Sequence, residues 1–217
     1  MANVKEIDLQ TWSRREAYHM FKDYANPYWN VCVQMDVDML WNRAKVSSLS
    51  FHHLVLHGIN VAMNDYAPMR LRRRGEKVVE LDLVHLGCSV LRNDGESFTF
   101  AYYDHRQEEG AKTFEARAKG ITAQAAAGEK LDPRHDEDDL LYATTLPWIS
   151  FTDFKHAERR GMHSIPKVVI GKVHKVEGVY RMPFSLEVDH ALMDGLHMGQ
   201  FLERMEATLA DLAQELG

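Results

Sequence analysis

Apolar residues recur along the chain at two spacings, and the switches between them divide it into elements. From 31 to 37, Val31, Val33, Met35 and Val37 alternate with Cys32, Gln34 and Asp36, the pattern of a strand with one buried face. Strand-like runs follow over 78–83, 87–92 and 98–103, with turn chemistry at Arg74-Gly75 and Asn93-Asp94-Gly95. Three more cover 148–154, 167–176 and 180–188, the last two joined at Glu177-Gly178. Helical spacing predicts helices over 14–24, over 47–64 with Leu54, Val55, Val61 and Ala62 apolar, and over the Ala-rich 112–127. The final helix, 196–216, carries Phe201, Leu202, Met205, Leu209 and Leu212 on one stripe. The polar stretch 129–139 reads as a loop. No repeat or linker interrupts the pattern. Hairpins mixed with helices predict a single α/β domain over 1–217, with a mixed, partly antiparallel sheet covered by helices.

Composition narrows the class. A chain of 217 residues that is 45% hydrophobic can bury a substantial core. A net charge of -6 with interspersed signs gives no reason to expect a nucleic-acid partner. No apolar run approaches the roughly 18 residues that a bilayer-spanning helix needs, so no membrane association is expected. The segment Met1-Ala2-Asn3-Val4-Lys5-Glu6 lacks the basic start and apolar stretch of a signal peptide, which predicts a cytoplasmic location. Cys32 and Cys88 form neither a metal-type pair nor a disulfide framework and are expected to be buried free thiols.

Candidate chemistry concentrates near the end of the chain, in Val188-Asp189-His190-Ala191-Leu192-Met193-Asp194-Gly195. A histidine at the end of a strand can be held rigidly and still face a cleft. Unperturbed imidazole titrates near pH ~6.5 and can take a proton at neutral pH. Asp194 falls at a turn that Gly195 permits, where it could fix the backbone, bind a cation or cap the helix. Other signals are weaker. His53 and His57 are four apart on a helix, but without the carboxylate of a zinc-protease pattern they read as packed histidines, and no metal is expected. Arg70, Arg72, Arg73 and Arg74 read as a solvated turn, and 136–139 as a solvated acidic loop. No serine or cysteine lies in a nucleophile motif, so His190 is read as a base rather than part of a covalent mechanism.

Four segments, in order, resemble the chloramphenicol acetyltransferase family: Trp12-Ser13-Arg14-Arg15-Glu16; Glu96-Ser97-Phe98; Pro147-Trp148-Ile149-Ser150-Phe151-Thr152-Asp153-Phe154; and the histidine motif with Leu196-His197-Met198 after it. The resemblance implies a two-layer sandwich fold and a homotrimer with active sites at the subunit interfaces. It implies that His190 is the general base, taking the proton of a small-molecule hydroxyl that attacks the thioester of acetyl-CoA, with chloramphenicol the first acceptor to consider. It implies Thr144 as the oxyanion donor, where the family has serine, and an ion pair between Asp194 and Arg14 that supports the base. Trp148 and Lys172 would contact the co-substrate, and Phe21 and Trp29 the acceptor. No metal is implied.

The chain also departs from the family. Val169 stands where the family often has a threonine that anchors a water. Phe21, Pro27 and Trp29 change the shape of the acceptor pocket, which sets the choice of acceptor. Asp189 before the base is similar to the acyltransferase cores of 2-oxoacid dehydrogenase complexes, which share the fold and use dihydrolipoamide. That reading ranks second, since no lipoyl-domain pattern or Ala/Pro-rich linker is present. A trimer that binds a ligand without turnover ranks third.

Overall fold

The computed structural model of the chain describes residues 4–157 and 164–217. Strand β1 (Val4–Glu6) leads to helix α1 (Arg15–Phe21), strand β2 (Tyr28–Asp36) and helices α2 (Asp38–Ser47) and α3 (Phe51–Asn64). A 3-10 turn (Ala67–Arg70) opens strands β3 (Leu71–Arg74) and β4 (Lys77–Leu81), followed by β5 (His85–Leu91) and β6 (Phe98–Tyr103). Helix α4 (Ala111–Ala127) precedes β7 (Leu140–Leu146), β8 (Lys167–Gly171), β9 (His174–Val176), β10 (Val179–Asp189) and the long helix α5 (Gly195–Glu215).

The large sheet has the order β2-β10-β8-β7-β5-β6, with β9 on β10 beside β8. Strand β7 runs parallel to β5 and β8, and the remaining pairs are antiparallel, giving the mixed sheet expected. A small antiparallel sheet is formed by β1, β4 and β3. Strand alternation gives the large sheet two unlike faces. Met35, Leu86, Cys88, Ala101, Val168, Ile170, Phe184 and Leu186 join the core that also contains Leu54, Phe201, Met205 and Leu209 of the helices. On the other face, register aligns Cys32, Ser185, Val169 and Thr144 in one row, and Asn30, Glu187, Lys167 and Tyr142 in the next. This open face also carries Phe100 and the exposed Phe98 of β6.

Several local expectations are corrected. The stretch 167–176 is two strands because Pro183 interrupts it. The β8 ladder stops at Ile170 opposite Phe184, and β9 resumes pairing at His174 opposite Arg181. A proline cannot donate to a ladder. Gly171 fills the gap: a Cβ there would lie 2.8 Å from Pro183 Cβ and 2.9 Å from the Phe151 ring. The helix expected over 47–64 begins at Phe51, after the Ser50 hydroxyl caps the backbone N–H of His53. Helix α2 escaped the pattern because only Leu40 and Ala44 are buried along it.

The segment 148–154 is not a strand. Its carbonyls are taken by groups crossing the open face: Asn30 Nδ2 donates to Phe154 at 3.0 Å, Gln34 Nε2 to Phe151 at 3.5 Å, and the Lys172 N–H to Ile149 at 2.8 Å. The strand of this region is β7, just upstream. The arginine run is not a solvated turn either. Arg72 is fully buried and donates to the carbonyls of Met69, Leu71, Asp138 and Leu140 at 2.6–2.9 Å, tying β3 to the start of β7. Asp138, read as solvated, accepts both bonds of a fork from Arg74 at 2.7 Å. Cys88 is buried as expected, whereas Cys32 is only half-buried.

Candidate active site

Strand β10 ends at Asp189, paired with Tyr28 of β2, and the chain turns sharply through His190 to Asp194. Each anchor of this turn acts on its backbone or flanks. The His190 N–H donates to the Pro27 carbonyl at 2.8 Å. Trp29 Nε1 donates to the Met193 carbonyl at 3.2 Å, and Arg14 Nη2 to the His190 carbonyl at 3.3 Å. Asp189 accepts from the Ala191 N–H at 2.9 Å and from Arg73 Nη1 at 3.0 Å. The imidazole of His190 stacks on Phe21, with centroids 3.9 Å apart and planes 12° from parallel, and on Trp29 at 4.9 Å and 26°. Its Nδ1 is buried without a hydrogen-bond partner among the described residues. Nδ1 is therefore closed off from solvent and from a molecule bound beside the ring.

Asp194 ion-pairs with Arg14, 180 positions earlier in the chain. It is also the N-cap of α5, accepting from the Leu196 N–H at 3.1 Å, with His197 Nδ1 2.7 Å from the same oxygen. Partial burial favours the neutral acid, but the bonds from His197 and Arg14 outweigh it and hold the carboxyl well below the usual carboxylate range. The expected pair thus forms, and it fixes the turn that carries His190.

A folded-state pKa below the unfolded one adds stability above the ordinary carboxylate pKa, and that stability is lost as pH falls through the folded value. We expect Asp194→Asn to cost about 1–3 kcal/mol at neutral pH, less than for a fully buried pair, because the Asp194 side chain is 39% exposed against 10% for Arg14. Melting temperatures of the two proteins should differ at pH 7, begin to approach each other only below about pH 4, the ordinary carboxylate pKa, and meet as pH falls through the depressed folded-state value. Equal values at pH 7 would contradict the role.

Thr144 lies elsewhere. It lines a groove of about 530 Å³ on the open face, with Phe98, Phe100, Tyr142, Leu146 and Trp148. Its hydroxyl has no hydrogen-bond partner among the described residues. Trp148 is 66% exposed. Lys172 is exposed and joined to the same stretch through its backbone bond to Ile149. Val169, opposite Thr144, is fully buried and apolar.

The expected residues therefore form two groups: His190, Arg14, Asp194, Phe21 and Trp29 at the end of β10, and Thr144, Trp148 and Lys172 along the groove. Thr144 shares a row with Ser185, five residues before His190 and two strands away. Strand spacing and rise place His190 and Thr144 roughly 15–20 Å apart within one chain, with Trp148 and Lys172 farther still.

Some residues of the region were not singled out from the pattern. Arg73, read as part of a solvated turn, holds Asp189 and donates to the Lys22 carbonyl at 2.6 Å. Lys167 and Glu187 form a buried ion pair at 2.6 Å, and His156 Nδ1 lies 3.7 Å from the same Glu187 oxygen. Burial opposes the Glu187 charge, but His156 and Lys167 overcome it and hold the carboxyl at about 2. The available signal was a charge set against apolar neighbours, Lys167 before Val168-Val169-Ile170 and Glu187 between Leu186 and Val188. By contrast, His53 and His57 are packed on α3, His53 Nε2 at 3.1 Å from the Thr122 hydroxyl and His57 stacked on Phe114.

The sequence model described as chloramphenicol acetyltransferase matches residues 2–206. A chloramphenicol acetyltransferase of Proteus mirabilis is 25% identical over 203 residues, covering 92% of each chain. One from Escherichia coli is 23% identical over 203 residues, covering 92% of this chain and 91% of its own. A solved chloramphenicol acetyltransferase superposes with a TM-score of 0.85 at 24% identity, over 95% of this chain and all of that one. A probable dihydrolipoamide acetyltransferase from Listeria monocytogenes superposes at 0.68 and 15% identity, covering 96% and 95% of the two chains. The two-layer fold is therefore that of the acyltransferases. No described helix is long and apolar enough to cross a membrane. With nearly its whole length matched, the chain belongs to the chloramphenicol acetyltransferase family and is an acetyltransferase.

Proposed function

We propose that the protein moves an acetyl group from acetyl-CoA to the hydroxyl of a small molecule, with chloramphenicol the first acceptor to test. The observation that carries this reading is the presentation of His190: a ring clamped by Phe21 and Trp29, on a turn fixed by Arg14 and Asp194, with Nδ1 buried. Nε2 takes the acceptor's hydroxyl proton as the oxygen bonds to the thioester carbon. Thr144 donates its hydroxyl to the carbonyl oxygen as negative charge develops there. When the C–S bond breaks, His190 returns the proton to the departing thiolate, so no acetyl-enzyme forms.

The separation of His190 from Thr144 in one chain supports a site shared between two copies, the base of one facing the groove of the next. A head-to-tail contact of this kind closes into a ring, and we place three copies in it. The groove also fits the co-substrate: the exposed indole of Trp148 offers an apolar wall and Lys172 a cation for its phosphates. We place the reaction in the cytoplasm. The test is thiol release from acetyl-CoA. Release that depends on chloramphenicol or another hydroxyl acceptor supports the reading. Release only with a dithiol would replace it by the dihydrolipoamide reading that the shared fold keeps open.

A further inference from the structure

The groove is polarised along its length. Register sets the order along the open face: Trp148 and Lys172 lie toward one end, Thr144 in the middle, and Lys167 opposite Tyr142 toward the other. The first end is apolar with a surface cation. The last carries a charge cluster that an apolar pocket does not need.

Lys167 and Glu187 are buried, with side chains 7% and 2% exposed. Lys167 spends one donor on Glu187 and sits 4.2 Å from the centre of the Tyr28 ring. An ammonium has three donors, so donor capacity remains on the groove side, where Lys167 is part of the lining. His156 lines the same end, and its Nε2 is buried without a partner among the described residues. A buried pair of this kind is often no more stable than apolar residues of the same volume, and an unpartnered buried nitrogen is unfavourable. Both are explained if a ligand completes them.

We propose that Lys167 and His156 select the acceptor, favouring a hydroxyl compound that carries a second, neutral hydrogen-bonding group, such as a carboxamide or hydroxyl, at its far end. Diagonal neighbours on adjacent strands are about 7–8 Å apart. Thr144 and Lys167 are such diagonal neighbours across β7 and β8, so the second group binds one side-chain row away from the reacting end of the acceptor. The group is neutral because Glu187 already balances Lys167. Lys167 supplies a donor to it, and His156 Nε2, when Nδ1 carries its proton toward Glu187, accepts from it. This inference rests on the groove being the acceptor site of the proposed transfer.

The test uses para-(hydroxymethyl)benzamide, its apolar isostere para-isopropylbenzyl alcohol and the charged para-(hydroxymethyl)benzoate. Calorimetric binding is measured on the wild-type assembly, on Lys167→Met/Glu187→Gln and on His156→Phe, with thiol release from acetyl-CoA followed in parallel. Removing the pair together avoids leaving one charge buried alone. Wild type should bind the benzamide about tenfold or more tightly than the isopropyl compound, and each variant should bring that ratio close to one. An unchanged ratio in folded variants, tighter binding of the benzoate than the benzamide, or no binding of any probe overturns the inference. A binding preference that both variants abolish, without thiol release from any probe, supports the inference and counts against the transfer reading.

Discussion

His190→Ala should lower kcat for acetyl transfer by about 10²–10⁴-fold, the range for removing a general base, while the protein stays folded. The second half of this expectation follows from how the turn is built. Arg14, Trp29 and Pro27 contact backbone atoms of 190–193, Arg73 holds Asp189, and Asp194 caps α5. None of these bonds uses the imidazole. Truncation removes the two ring stackings, worth about 0.5–1.5 kcal/mol each, and leaves the architecture in place. Steady-state kinetics and a melting curve on the same sample separate the two effects. Near-wild-type turnover would remove His190 from the chemistry, and a collapsed fold would show that the ring is structural.

Thr144→Val should reduce kcat by about 10²–10³-fold with little change in KM for either substrate, because an oxyanion donor acts mainly in the transition state. The change suits the site because valine keeps the β-branched shape in a strand whose neighbour is already Val169. Only the hydroxyl is lost, and Thr144 shares it with no other described group. Thr144→Ser restores the donor and should recover most of the rate. A loss confined to KM, or no loss, would move the oxyanion role to another donor. Thr144 and the histidine also respond differently to the acceptor. A weaker base tolerates acceptors with more acidic hydroxyls, so His190→Ala should lose less with such acceptors, whereas the Thr144→Val deficit should stay nearly constant.

The parts of this protein that the sequence disclosed are those whose function is local. The alternation of 31–37 marked β2, the stripe from Phe201 to Leu212 marked α5, and His-x-x-x-Asp-Gly marked the turn that carries His190. What local patterns do not carry is pairing between distant segments. Pro183 splits β8 from β9 only because those strands meet β10 at that point. Arg72 is buried because four carbonyls from two segments converge on it, which a run of arginines does not disclose. The aromatic stretch 148–154 has strand composition, yet its carbonyls are claimed by Asn30, Gln34 and Lys172. Arg14 and Asp194 were joined through the family resemblance, since 180 positions separate them. Lys167 and Glu187 are visible in the sequence as charges beside apolar runs, but their pairing depends on the register that sets them side by side.

The central claim, a site built from His190 of one copy and Thr144 of the next, is tested most directly by mixing two inactive proteins. His190→Ala and Thr144→Val are unfolded together, refolded as an equal mixture and assayed for thiol release from acetyl-CoA with an acceptor that the wild type uses. In random assemblies with head-to-tail contacts, about a quarter of the interfaces combine an intact histidine from one parent with an intact threonine from the other. The account predicts activity near that fraction of wild type, far above either parent alone. Activity no greater than the mean of the two parents, in a mixture shown to exchange subunits, would contradict it.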